Sequence, residues 1–201
     1  VFDLEMPSLN GRLKVAFIGT LRPTKGPQVL IDACSKIANR NDIEVQIWGA
    51  ASDKAFEDDL KRRAGRIKWI HFRGTFPQEK LPDVLRENHV VVIPSLWHEN
   101  TPLIALSSLA ARRVLVVSDT GGLSSLVEHG VSGFVFPIGD SGVLASLMVK
   151  LSEDRELVRK VSGAVPKPYT VNEYVSKILE VYEKEFNNNH APKNRMKSER
   201  L

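Results

Sequence analysis

Two short apolar runs constrain the fold of this chain more than any other feature of its sequence. Val90–Ile93 and Val114–Val117 are almost entirely valine and isoleucine, and each is closed by a turn signal: Pro94 after the first, and Ser-Asp-Thr-Gly-Gly after the second. Continuous β-branched runs of this length are typical of strands that are buried on both faces. A sheet containing two such strands needs helices on both sides.

The segment between these strands predicts a helix. Leu103, Leu106 and Leu109 recur at helical spacing, and Thr101-Pro102 stands where a cap and a first-turn proline belong. Parallel strands need such a crossover, and they place ligands at their carboxyl ends. The loop from Ser95 to Thr101 is therefore the favoured position for chemistry.

The rest of the chain repeats the alternation of strand and helix. Further strands are predicted at Leu13–Ile18, Ile43–Trp48, Ile67–Phe72 and Gly133–Phe136, and helices at 27–37, 53–64, 78–88, 123–129, 141–151, 155–161 and 171–186. This order predicts an α/β fold, a doubly wound parallel sheet of the Rossmann-like kind. We expect a linker at residues 1–12, one domain at 13–186 and a disordered basic tail at 187–201, which has no apolar stripe to bury.

Charge and cysteine content exclude several classes of function. The formal charge of +4 includes +3 from residues 190–201, so the body carries about +1 and no basic face for nucleic acid is expected. The single Cys34 rules out a disulfide within the chain and is interpreted as a small buried residue. The five histidines lack metal-ligand spacing, so no metal is expected. No apolar stretch approaches the ~18 residues of a membrane span. A cytoplasmic location is therefore expected.

A basic loop follows the first strand. It runs from Gly19 to Gly26 and carries Arg22 and Lys25 to the start of a helix, where free backbone N–H groups already favour an anion. A phosphate group is one candidate ligand. The alternative is a loop with two solvated basic residues, since neither of the usual glycine-rich phosphate patterns is present.

Four motifs in order resemble a known family. GTLRPTKG, HFRG, PSLWHENTPLIAL and SDTGG followed by GVSGFVF, spread over roughly Val15 to Val158, resemble the C-terminal half of retaining GT-B glycosyltransferases, the glycosyl transferases group 1 family. That half binds a nucleotide sugar. The family signature is a pair of glutamates separated by seven residues. Glu99 matches the first, whereas the second position holds Ser107.

The resemblance implies roles for individual residues. Arg22 and Lys25 would stabilise the diphosphate leaving group without a metal or other cofactor, and Glu99 would orient the sugar. Phe76 stands where the family packs the nucleobase, although plain core packing explains it as well. The implied donor-binding residues are Gly19, Thr20, Gly74, Thr75, Phe76, Asn100, Thr101, Leu103, Ile104 and Ser107.

The function expected from this resemblance is binding of a UDP-, GDP- or ADP-sugar within a hexosyltransferase of polysaccharide biosynthesis. Its acceptor-binding N-terminal domain would be a missing partner, so the isolated domain should not transfer sugar; a full-length enzyme could also touch a membrane peripherally. Ser107, Arg112, Val114 and Ser125 depart from the family pattern. Two alternatives follow: a degenerate, non-catalytic interaction domain of GT-B descent, and a related nucleotide-sugar epimerase.

Overall fold

A six-stranded parallel sheet organises the fold, with strand order β3-β2-β1-β4-β5-β6. The computed structural model describes residues 4–166 and 169–190, with the backbone alone for 187–190. The strands are β1 Leu13–Ile18, β2 Ile43–Trp48, β3 Ile70–Gly74, β4 Val90–Ile93, β5 Val114–Ser118 and β6 Gly133–Phe136. Every neighbouring pair is parallel, which confirms the predicted doubly wound sheet.

Alternate residues of the central strands face opposite layers of helices. The helices are α1 Pro27–Lys36, α2 Lys54–Ala64, α3 Leu81–Arg86, α4 Leu103–Ala110, α5 Gly121–Ser124, α6 Ser141–Glu153, α7 Arg155–Ala164 and α8 Val171–His190. Val15 and Phe17 belong to one buried cluster, formed with residues of α1, α2, α6 and α7, whereas Ala16 belongs to the other, formed with residues of α3, α4 and α5. Cys34 is fully buried within α1, as its helical context predicts.

Two predicted elements, the third strand and the helix after β5, begin at other residues in the structure. The third strand begins at Ile70 instead of Ile67, because Ile67 and Trp69 fill the core from the preceding turn and mimic strand alternation. Helix α5 occupies Gly121–Ser124 and not the predicted 123–129. Gly130 does adopt a positive φ of 79°, but it closes a turn and not a helix, with its N–H donating to the Gly133 carbonyl.

The segment that precedes β1 packs at the end of the sheet where the strands begin. The fully buried Arg113 donates to the carbonyl oxygens of Leu4 and Glu5 at 3.1 and 2.6 Å. Burial lowers the pKa of this guanidinium to about 10. His89 lies at the same end, since its Nδ1 accepts from the Lys14 N–H at 2.9 Å. Residues predicted as a linker therefore pack closely against this domain.

The chain divides into two compact units, Val1–Lys167 and Pro168–Leu201. The second contains α8, whose start is capped reciprocally: Glu173 N–H donates to Thr170 Oγ1 and Thr170 N–H to Glu173 Oε2. The helix runs to His190, four residues past its predicted end, because polar turns leave no apolar signal in the sequence. Residues 187–190, which were predicted to belong to the disordered tail, are thus part of α8, and the rest of that tail, 191–201, lies outside the described residues. Across the described ranges, no helix combines the length and apolarity required to cross a membrane.

Candidate functional site

The strand order places a switch point between β1 and β4. These strands are neighbours, yet the chain moves from β1 towards one edge of the sheet and from β4 towards the other. Loops leaving the carboxyl ends of two such strands diverge and open a crevice between them. A first cavity of about 510 Å³ lies here, lined by residues from both loops and from α4.

The two loops are held together by close backbone packing. Gly26 has a φ of 72°, and a Cβ at this position would lie 1.8 Å from the Pro94 carbonyl oxygen. The Leu96 N–H donates to the Thr24 carbonyl at 2.8 Å, which ties the β4 loop to the β1 loop. Any side chain at Gly26 would force the loops apart, so this glycine fixes the spacing on which the site depends.

Glu99 and Lys25 form an ion pair that lines this crevice. Lys25 Nζ lies 2.5 Å from Glu99 Oε1, and the side chains are 38% and 15% exposed. The same Oε1 accepts from Ser95 Oγ at 2.9 Å, while Ser95 is fully buried. Lys25 and Ser95 therefore bond to the same oxygen of the Glu99 carboxylate. The sequence places Ser95 at the start of the favoured loop, but nothing in its position four residues before Glu99 indicates this contact.

The loop that carries Glu99 is also fixed from its other side. A Cβ on Gly122 would lie 1.9 Å from the carbonyl oxygens of both Glu99 and Asn100. The start of α5 therefore rests directly on the loop backbone. Gly122 therefore shapes the site through the absence of a side chain.

The amino terminus of α4 faces the same cavity without a side-chain cap. Pro102 occupies the cap position, one residue later than the predicted Thr101, and no side chain bonds to the first helical N–H groups. Leu103 and Ile104 carry two of these groups and line the first cavity. Free N–H donors at a helix start favour an anion.

Ser107 lines the first cavity together with Glu99. It follows Leu103 by four residues on α4, about one turn, so both face the same side of the helix. Position 107 therefore borders the cavity, and its role in donor binding stays a prediction.

The far end of the crevice is aromatic. Phe76 lines the first cavity and also a second cavity of about 320 Å³, which Thr75 lines too. The Phe76 and Trp48 rings meet edge to face, with centroids 5.2 Å apart and planes at 87°. Gly19 and Thr20 line both cavities, whereas Gly74 lines neither and supplies the positive φ of 70° that turns the chain towards Phe76.

The remaining predicted site residues lie apart from the first cavity. Asn100 and Thr101 line a third cavity of about 510 Å³, which shares Lys25 and Glu99 with the first. Arg22 is exposed and lines none of these three cavities. Sequence reasoning also missed Gln78 and Leu81, which line the first cavity beside Phe76 and carry no motif.

Together these groups form a crevice with an aromatic end that borders the second cavity and a lysine–carboxylate pair that borders the third. Among the residues the structure describes, no three histidine, cysteine, aspartate or glutamate side chains are grouped as a metal site would require. Lys25 and the α4 terminus are the positive features of the first cavity. The arrangement suits a ligand with a flat ring, an anionic middle and a hydroxyl-bearing end.

Comparison with known proteins agrees with this description. The sequence profile described as Glycosyl transferases group 1 matches residues 12–154, well over half of the chain. The chain belongs to this family. Among its curated relatives, D-inositol 3-phosphate glycosyltransferase of Corynebacterium efficiens is 32% identical over 149 residues, and the match covers 71% of this chain and 35% of the relative. The amylovoran biosynthesis glycosyltransferase AmsK of Erwinia amylovora is 28% identical, with 76% and 39% covered.

Solved structures of glycosyltransferases share the fold. HepE from Anabaena, crystallised with UDP and glucose, superposes with a TM-score of 0.76 at 21% identity, covering 87% of this chain and 49% of that one. The C-terminal domain of the group 1 family protein LpcC from Francisella tularensis gives 0.70 at 24% identity, covering 77% and 82%. The chain spans little more than a third of the length of the curated relatives named above.

Proposed function

We propose that this chain is the C-terminal, donor-binding half of a retaining glycosyltransferase, which transfers a hexose from a nucleotide diphosphate sugar to a glycan or small-molecule acceptor. One observation carries the proposal: Lys25, Glu99 and the uncapped start of α4 converge on a single cavity at the switch point of the sheet. HepE, which shares the fold, was crystallised with UDP and glucose.

The central part of the cavity suits a diphosphate. In sugar transfer, the bond between the anomeric carbon and the β-phosphate oxygen breaks, and negative charge develops on that oxygen. Lys25 and the N–H groups of Leu103 and Ile104 would stabilise this charge from fixed positions. A diphosphate would compete with Glu99 for Lys25, so that ligand binding frees the carboxylate to accept hydrogen bonds from sugar hydroxyls. Arg22 is exposed and would have to turn inward to contribute a second cation.

The aromatic end would hold the nucleobase. Phe76 stands at the edge of both neighbouring cavities, and Trp48 braces its ring. Ser107 lines the same cavity and would face the ribose.

Calorimetric titration with UDP, GDP and ADP and their glucose conjugates tests the proposal. Arg22→Ala/Lys25→Ala should abolish binding of the diphosphate, whereas Arg66→Ala/Lys68→Ala, which removes the same charge from exposed positions before β3, should not. Binding to the unmodified chain should survive EDTA, since the cations replace a metal. Binding that depends on Mg²⁺, or that persists in the first variant, would overturn the proposal.

One observation favours a second candidate, a non-catalytic interaction domain derived from this family. The first cavity presents Ser107 where the family signature has its second glutamate. Ser125 also departs from the family pattern, and its Oγ donates to the Gly122 carbonyl at 3.3 Å. If the calorimetric panel shows no nucleotide binding, this candidate replaces the first. A cytoplasmic location, an acceptor-binding partner domain and inactivity of this chain alone remain predictions.

A further inference from the structure

The third cavity differs from the first in its lining. It is about 510 Å³ and shares Lys25, Glu99 and Pro102 with the first cavity, while Trp97, His98 and Asn100 belong to it alone. The Lys25–Glu99 ion pair therefore stands at the boundary between the two spaces. The proposed donor contacts assign no role to Trp97 and His98, which line the third cavity.

Trp97 is the unusual residue of this cavity. Its side chain is 67% exposed, whereas Trp69 is buried in the core and Trp48 contacts Phe76. An indole left largely in water forfeits the ~1.5–3 kcal/mol that burial of a large apolar side chain provides. An exposed tryptophan beside polar groups is a common feature of binding surfaces.

The loop that carries Trp97 is held in place, so the ring is presented at a defined position. Leu96 N–H bonds to the Thr24 carbonyl, and the Leu96 side chain lies within 3.5 Å of the position a Cβ on Gly139 would take. Two residues after the tryptophan, the Glu99 carbonyl abuts Gly122. Contacts on both sides of Trp97 thus restrict the loop, and ligand binding would cost little ordering entropy.

We propose that the third cavity binds a pyranose ring, with the C–H face of the sugar against the Trp97 indole. The negative face of the indole attracts the weakly positive C–H groups of a sugar. Glu99 Oε2, which is not engaged by Lys25 or Ser95, and the Asn100 amide would take the ring hydroxyls. The inference rests on the proposed function and extends it by naming Trp97. The ring can belong to the donor or to a sugar unit of the acceptor.

Nitrogen-15 NMR can observe this residue directly, because the chain has three tryptophans and therefore three indole N–H signals. Trp97→Phe assigns the relevant signal by its loss. One arm compares UDP, GDP and ADP with their glucose conjugates. A second arm adds the methyl pyranosides of glucose, galactose and mannose to the chain, with and without each nucleotide.

A shift of the Trp97 signal by a sugar conjugate, but not by its nucleotide alone, supports the proposal and assigns the ring to the donor. A shift by a free pyranoside supports it and assigns the ring to the acceptor. Trp97→Ala should weaken the sugar-dependent part of binding about tenfold and leave nucleotide affinity unchanged, whereas Trp97→Phe should retain most of it. Val131→Ala, at an exposed apolar residue that lines none of the three cavities, is the control.

Ligands are added at about 50-fold molar excess over the protein, at about 10 mM or above. The proposal is overturned if neither the sugar conjugate of the tightest-binding nucleotide nor any free pyranoside shifts the Trp97 signal. It is also overturned if Trp97→Ala leaves sugar-dependent binding intact. Nucleotide binding that persists in this case would leave the proposed function standing. If no nucleotide binds but a pyranoside shifts the Trp97 signal, the proposed function fails and the pyranose site at Trp97 stands.

Discussion

Replacement of Ser107 by glutamate gives the sharpest test of how a nucleotide would lie in the first cavity. Ser107 faces the cavity one turn after Leu103, about 6 Å along the helix from the N–H groups that would hold the diphosphate. That distance suits a ribose next to the α-phosphate. A glutamate there would offer two oxygens to the two ribose hydroxyls, whereas the serine offers one.

The magnitude follows from opposing contributions. Two charge-assisted hydrogen bonds, at the low end of about 1.5 kcal/mol each because Ser107 is partly exposed, favour the variant. Repulsion between the new carboxylate and the diphosphate costs on the order of 1 kcal/mol, and the serine's own hydrogen bond, about 0.5 kcal/mol, is lost. About 1.5 kcal/mol remains, so Ser107→Glu should bind UDP about tenfold more tightly.

A 2′,3′-dideoxy analogue of UDP isolates the ribose contribution. The repulsion acts on both ligands, but only UDP can form the new hydrogen bonds, so the variant should bind the analogue no better than the unmodified chain. Calorimetry on two proteins and two ligands completes the cycle, and Ser107→Gln, which keeps the shape without the charge, is the control. If Ser107→Glu improves both ligands equally, or neither, position 107 does not face the ribose.

Two further predictions concern stability. Arg112 is the one non-glycine residue with positive φ among those described, at 55°, so Arg112→Gly should raise the free energy of unfolding by about 0.5–1 kcal/mol in urea titration; a decrease would mean that its exposed side chain contributes more than its backbone costs. His89 has a lowered pKa, first because of burial and then through Arg155, Arg113 and Lys14, so the folded state favours the neutral ring. The resulting stability is complete above the unfolded pKa of about 6.5 and is lost as pH falls through the lower folded value, and His89→Asn should flatten this dependence in urea midpoints measured between pH 7.5 and 5.

Most of the fold can be predicted because local signals and burial agree. Buried parallel strands are continuous apolar runs, and β1, β2, β4 and β6 begin and end where those runs do. The third strand starts later than its pattern predicts because Trp69 fills the core from a turn, and periodicity cannot separate a buried turn from a buried strand. Helix α5 starts earlier than predicted because two glycines, which normally end helices, here begin one.

The residues of the site can be predicted more readily than its geometry. Loops at the ends of β1 and β4 have to meet at the switch point, and this requirement alone predicts that Lys25 and Glu99 lie near each other. Their ion pair joins residues 74 positions apart, and Ser95, which shares the same oxygen, is revealed only by the folded loop. The sequence offers Arg22 and Lys25 as equivalent cations, but the structure distinguishes them.

Lys25 differs from Arg22 because of the glycine that follows it. Lys25 ends a short 3₁₀ turn and is followed at once by Gly26, whose missing side chain lets the β1 loop close onto Pro94. Arg22 precedes that turn in extended backbone, and its side chain stays in solvent. Gly122 closes the opposite side of the β4 loop by the same means. Because two backbone contacts with no room for a Cβ set the position of Glu99, only the cation next to Gly26 comes within reach of it.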